Sequence, residues 1–257
     1  MSGPFFDTHA HLNMEVYDSD RDGVIERSLQ AKVQWIIDVS VDLSTSLRSV
    51  ALASKYPSLF SAVGVHPHEA SNTSLEVLHR LEALCQNSKV VAIGEIGLDY
   101  HYHFSPPEIQ KNFFLAQLEL ARRLDKPVIV HVREAMTDAL DLIQSLAPSG
   151  WKGVFHCFGG KAEDIPKILE MGFLISFTGV VTFHNFKKQD LVRMVPLDRL
   201  LLETDAPYMT PVPFRGKRNE PAFLSYIANA IASFHQISPE TVAQTTTANA
   251  KRLFGLE

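Results

Sequence analysis

The feature that most constrains this chain is a rhythm. Short apolar runs at residues 4–9, 35–39, 61–64, 90–95, 127–131, 153–156, 173–176 and 200–203 alternate with longer segments of helical period. The runs are rich in Val, Ile, Leu and Phe and too short for helices, so they read as buried parallel strands. The segments between them carry helix signals. Ser105-Pro106-Pro107-Glu108 offers an N-cap, a Pro in the first turn and a Glu closing a capping box, and Ile109, Phe113, Ala116, Leu120 and Leu124 then form one apolar stripe. Thr73-Ser74-Leu75-Glu76 and Ser238-Pro239-Glu240 open two further helices. From His9 to Asp205 the units recur about every 28 residues. Eight such units in 257 residues predict an α/β fold, a single-domain TIM (β/α)8 barrel, with a C-terminal helical extension after about residue 206. An open doubly wound sheet shares the local pattern, but neither Gly-x-Gly-x-x-Gly nor a P-loop follows the first run.

Composition narrows the functional classes. With 46% hydrophobic and 21% charged residues the chain is neither disordered nor a disulfide scaffold. Two cysteines, Cys85 and Cys157, cannot form a framework, so reduced thiols and a cytoplasmic location are expected. Met1-Ser2-Gly3-Pro4-Phe5-Phe6-Asp7 shows no signal-peptide pattern, and no run of about 18 apolar residues is present to cross a membrane. A net charge of −5 excludes a broad basic surface, so any contact with nucleic acid must be local. No obligate protein partner is indicated, and a chain of this size can work as a monomer.

Polar residues at the ends of the runs carry the chemistry. His9 and His11 end the first, Glu95 the fourth, His131 the fifth and His156 the sixth, and Asp205 lies just past the eighth. A barrel brings the carboxyl ends of all its strands to one face, so residues far apart in sequence converge there. His9 and His11 are two apart on extended chain and point the same way, and Asp205 follows Glu203 in the same phase. Four imidazoles and two carboxylates exceed what one tetrahedral ion needs; they suit two divalent ions about 4 Å apart, bridged by a carboxylate such as Glu95. Mixed nitrogen and oxygen ligation fits zinc, magnesium or manganese without choosing among them. Each residue alone has a plainer explanation, a hydrogen-bonded core histidine or an acidic helix N-cap. Six such groups gathered at one barrel mouth do not.

Weaker signals surround this set. His66 and His68 follow the third run, and Arg133 lies two residues past His131, where a guanidinium beside a metal pair suits a phosphate. The segment Pro213-Phe214-Arg215-Gly216-Lys217-Arg218-Asn219-Glu220-Pro221 is the most basic and lies in the loop after the eighth run, so Arg215, Lys217 and Arg218 are candidate contacts to a phosphodiester backbone. Tyr100, His101, Tyr102 and His103 follow Glu95 and offer rings for stacking on bases. Cys157 is expected to be packed rather than nucleophilic.

Asp7-Thr8-His9-Ala10-His11, Gly64-Val65-His66-Pro67, Ile93-Gly94-Glu95-Ile96-Gly97-Leu98-Asp99-Tyr100, Lys126-Pro127 with His131 and Arg133, His156-Cys157-Phe158, Leu202-Glu203-Thr204-Asp205-Ala206-Pro207 and Arg215-Gly216-Lys217-Arg218-Asn219-Glu220-Pro221 together resemble the TatD family of metal-dependent deoxyribonucleases. The ordered set spans about residues 5 to 255. The resemblance implies a barrel metallohydrolase in which His9, His11, Glu95 and Asp205 hold one ion and Glu95, His131 and His156 the other. It implies DNA as substrate, often cleaved from the 3′ end. Asp205 is then expected to accept the proton of the attacking water, Glu95 to hold the ions, and Arg133 to balance phosphate charge. His66 is expected to act on the leaving oxygen, and Glu203 to orient a ligand His or the basic loop. Alternatives are a barrel hydrolase acting on a small amide, lactone or phosphoester, and a binding protein with an inactive metal site.

Overall fold

The computed structural model describes residues 3–256. Eight strands form one parallel sheet in sequential order, namely β1 (Phe5–Ala10), β2 (Val33–Val39), β3 (Leu59–Val63), β4 (Val90–Asp99), β5 (Val128–Arg133), β6 (Gly153–Phe155), β7 (Leu174–Phe177) and β8 (Leu200–Leu202). Beyond β8 the chain returns to β1. Asp205 donates its backbone N–H to the His9 carbonyl at 2.8 Å, and the His11 N–H reaches the Ala206 carbonyl at 2.7 Å. This closes the expected TIM barrel.

The seven helices between strands are α1 (Arg21–Gln30), α2 (Leu43–Lys55), α3 (Val77–Leu84), α4 (Pro107–Arg123), α5 (Met136–Leu146), α6 (Asp164–Glu170) and α7 (Gln189–Met194). Two more, α8 (Leu224–His235) and α9 (Pro239–Phe254), follow β8. Successive strand residues face opposite ways. Phe5, Ile36, Ile175 and Leu200 pack with the helices, whereas Phe6, Ile37, Ile129, Val154, Leu174 and Leu201 form a separate interior cluster. Ala250 and Phe254 of α9 join that inner cluster, so the last helix seals the end of the barrel where the strands begin. None of the described helices is long and apolar enough to cross a membrane.

Three local expectations need correction. Thr73-Ser74-Leu75-Glu76 leads directly into a helix, α3 from Val77, but without the expected capping box, since no side chain caps it. Ser105 does not cap α4: its hydroxyl donates to the His68 carbonyl and accepts the Ser71 N–H, joining two loops at the mouth. The buried face of α4 is also rotated from the expected stripe. Ile109 is exposed, while Gln110 and Gln117 are buried. Gln117 clasps both backbone groups of Val65, and Gln110 those of Asp99, so α4 holds the carboxyl-terminal ends of two barrel strands through side-chain amides. The expected N-cap at Ser238 is present, accepting the Thr241 N–H.

Candidate active site

At the mouth of the barrel, Glu95 is the centre of a histidine cluster. Its carboxylate is almost wholly buried, and its two oxygens face different partners. Oε1 lies 2.7 Å from His156 Nε2, 2.9 Å from His131 Nδ1 and 3.6 Å from His66 Nε2. Oε2 lies 3.5 Å from His9 Nε2 and 3.8 Å from His11 Nε2. Asp205 joins the second group, its Oδ1 3.4 Å from His11 Nε2. Thus the six residues singled out by the sequence do converge, and they do so in two sets that share Glu95.

Local backbone geometry aims these groups. The chain leaves β1 extended, so His9 and His11 bring their Nε2 atoms to 3.1 Å of each other. His11 Nδ1 is fixed by the Val39 carbonyl at 2.9 Å, which assigns the proton to Nδ1 and turns the Nε2 lone pair inward. His156 and His131 likewise hold ring nitrogens 3.2 Å apart. Asp205 does not share a strand phase with Glu203 as expected. It adopts the left-handed conformation, φ 56°, which swings its carboxylate toward His11. Glu203 instead is fully buried, accepting the Cys157 N–H at 2.6 Å and the Ser176 hydroxyl at 2.7 Å, with His156 Nδ1 3.4 Å away. Neither Glu95, inside β4, nor Asp205 caps a helix.

The electrostatics follow from this crowding. Burial opposes ionisation of Glu95, yet His156, His66 and His9 around it hold its carboxyl well below the usual range. Burial would lower the His11 imidazole, but Asp205 and Glu95 outweigh it and raise it to about 9, so a proton competes with a cation for the Nε2 lone pair. Burial keeps His66 well below its ordinary value, hence neutral. Its Nδ1 accepts the His68 N–H, so the Nε2–H points at Glu95.

This donor set fits divalent cations. Imidazole nitrogens face each other in two pairs around two buried carboxylates, and His9 Nδ1 is buried without a hydrogen-bond partner. Protons satisfy such a cluster poorly, whereas cations accept all of its lone pairs at once. Ligand atoms of His9, His11 and Asp205, of His66, Glu95 and His131, and of His9, His156 and Glu203 lie close enough together to take an ion.

Sequence reasoning missed the supports beneath these groups. Asp99 is buried, and its Oδ2 receives His68 Nε2 at 2.8 Å and His131 Nε2 at 3.2 Å. Its Oδ1 accepts the N–H groups of His101 and Tyr102, both at 3.0 Å. Asp7 ties β1 to the β8 exit through the Thr204 N–H and hydroxyl, and burial lifts its carboxyl to about 7 against those hydrogen bonds. Asp38 receives the Asn13 N–H and amide, both at 2.9 Å, below His11. A signal existed for Asp99 and Asp7, since both belong to the ordered motifs.

The cationic candidates separate. Arg133 is exposed, with its guanidinium 4.7 Å over the Tyr102 ring. Arg215 is exposed over Phe183 at 3.8 Å, and Lys217 is exposed near Phe214. Arg218 is committed elsewhere: it makes a two-pronged ion pair with Asp20 at 2.8 and 2.6 Å and covers the Tyr17 ring. Cys157 is packed, its thiol pushed up to about 12 by burial.

Comparison with known proteins settles the family. The family model described as TatD related DNase matches residues 6–255. The chain belongs to the TatD family. Among TatD relatives, the uncharacterized metal-dependent hydrolase YabD of Bacillus subtilis is 45% identical, over 97% of this chain and 98% of its own. A protein of Citrobacter koseri named 3′-5′ ssDNA/RNA exonuclease TatD is 36% identical, over 98% and 99%. The crystal structure of YJJV, a TatD homologue from Escherichia coli, superposes with a TM-score of 0.91 at 31% identity, covering 98% of each chain. The protein is therefore a TatD-family metal-dependent hydrolase built on a TIM barrel.

Proposed function

We propose that this hydrolase cleaves phosphodiester bonds in DNA as a 3′–5′ exonuclease, using two divalent ions of zinc, magnesium or manganese. The reading rests above all on the two-sided environment of Glu95. With His9, His11 and Asp205 it would hold one ion, and with His131 and His156 the other. Ions bound there would lower the pKa of a water and neutralise charge on the scissile phosphate. The remaining work falls to the chain itself. Asp205, the carboxylate at the open side of the cluster with its side chain 11% exposed, takes the proton of the attacking water. His66, neutral and presenting Nε2–H, gives a hydrogen bond to the leaving oxygen, which departs as the alcohol by taking up, through solvent, the proton that Asp205 received. Glu203 orients His156 from behind. Arg133 at the rim, with Arg215 and Lys217 on the loop after β8, meets the flanking phosphates, while Arg218 braces that loop against Asp20. The nuclease named among the relatives supports this substrate. The two free thiols, Cys85 and Cys157, suit a reducing, cytoplasmic compartment.

The test uses metal-loaded protein and end-labelled oligonucleotides beside a panel of small lactones, amides and phosphomonoesters. The expected result is shortening from the 3′ end. In Glu95→Gln the rate should fall at least about 10³-fold, because several kcal/mol of transition-state stabilisation is removed. Full turnover by that variant, or hydrolysis of small substrates alone, would overturn the assignment.

A further inference from the structure

Resting on that reading, we infer that Tyr102 and Phe104 form a stacking platform for an unpaired nucleobase beside the scissile phosphate. Phe104 is 65% exposed, the most exposed large apolar side chain among the described residues, and Tyr102 is 41% exposed. Their rings are stacked with centroids 5.6 Å apart, and the Arg133 guanidinium lies 4.7 Å from the Tyr102 ring. His68 meets both rings edge-on, at 5.4 Å from Tyr102 and 4.9 Å from Phe104.

A lone exposed aromatic ring needs no explanation. This pair is different because it is held in place and coupled to the cluster. Asp99 accepts the Tyr102 N–H with one oxygen and contacts His131 and His68 with the other. One buried carboxylate therefore fixes both the loop that carries the rings and a proposed metal ligand. A rigid aromatic surface loses little entropy when a flat partner stacks on it. The adjoining guanidinium supplies the cation that a phosphate-linked base brings a need for. The platform follows β4, whereas Asp205 follows β8, four strands around an eight-stranded barrel. A nucleic-acid strand crossing the mouth from Asp205 toward Arg133 would lay its base on these rings. A base inside a duplex is stacked on both faces and held at its edge by its pairing partner, so the platform favours an unpaired end that is free to turn onto the rings, and it reads a base common to DNA and RNA.

The test measures binding with oligonucleotides carrying 2-aminopurine as the 3′-terminal base, deoxy and ribo in separate arms, with phosphorothioate end linkages to slow hydrolysis. Wild-type protein should quench the probe. Phe104→Ala and Phe104→Leu should each weaken binding about tenfold, while Phe104→Trp preserves it. An abasic 3′ end should also weaken wild-type binding about tenfold, and combining it with Phe104→Ala should cost no more than either change alone. Additive losses, or a Phe104→Ala variant that discriminates base from abasic as well as wild type does, would overturn the platform. So would a dimer that Phe104→Ala dissociates with nucleotide binding unaltered, because the rings would then serve a second copy. Hydrolysis with additive losses removes the platform and leaves the nuclease reading; the non-additive pattern without hydrolysis under any metal does the reverse.

Discussion

Asp99→Asn is the substitution that separates support from ligation. The carboxylate has four donors around it: His68 Nε2 at 2.8 Å and His131 Nε2 at 3.2 Å on one oxygen, and the His101 and Tyr102 N–H groups at 3.0 Å on the other. Asparagine has one acceptor oxygen, so either the imidazoles or the backbone pair must face an amide NH2. Losing charge-assisted bonds at a buried site costs about 3 kcal/mol. In a chain of this size that lowers the melting temperature by roughly 6–12 °C. Freed from Asp99, His131 loses its fixed orientation, and metal affinity should drop about 10- to 100-fold. The sign with pH is also set. Despite burial, the hydrogen bonds of Asp99 with His131, Tyr102 and His68 hold its carboxyl below its ordinary value of 3.8. Its stabilisation is therefore complete above that value and fades as pH falls further. The gap between wild type and variant should narrow below about pH 4. Calorimetric melting from pH 3 to 7 and competitive zinc titration measure both effects. Unchanged melting and unchanged affinity at pH 7 would refute the argument.

Gly97 has φ +148°, and a Cβ there would lie 1.9 Å from the His131 carbonyl oxygen. Gly97→Ala should therefore prise β4 from β5, destabilise by about 4 kcal/mol or more, and lower the urea midpoint together with activity; a wild-type midpoint would contradict this. Arg215→Ala should raise KM for DNA several-fold and reduce the salt slope of binding by about 1, with melting unaltered. Arg218→Ala should instead lower melting by about 2–4 °C through loss of the Asp20 pair, which is partly exposed and worth about 1 kcal/mol. The reverse pattern would exchange the roles given to these two arginines.

Much of this arrangement was legible in the sequence because strands buried on both faces leave continuous apolar runs, and because a barrel fixes where their ends go. His9, Glu95, His131 and His156 could be placed from that alone. The gaps have physical causes. β4 is buried along all ten residues to Asp99, but Gly94 and Gly97 interrupt its apolar pattern, so the run reads as ending at Glu95 and Asp99 falls outside it. Gln110 and Gln117 break the helical stripe of α4 because they satisfy backbone groups of strand ends, a use of burial that periodicity does not encode. The left-handed turn at Asp205 defeats an argument from strand phase. Arg218 looks like its basic neighbours in sequence, and only the approach of Asp20, almost two hundred residues away, sets it apart.

The central claim is that the two faces of Glu95 serve two cations. Elemental analysis of metal bound per chain, joined to anomalous diffraction from the same sample, tests it most directly. Two ions are expected, one toward Oε2 among His9, His11 and Asp205, the other toward Oε1 between His131 and His156. No stoichiometric metal, or metal bound away from Glu95, would contradict the account.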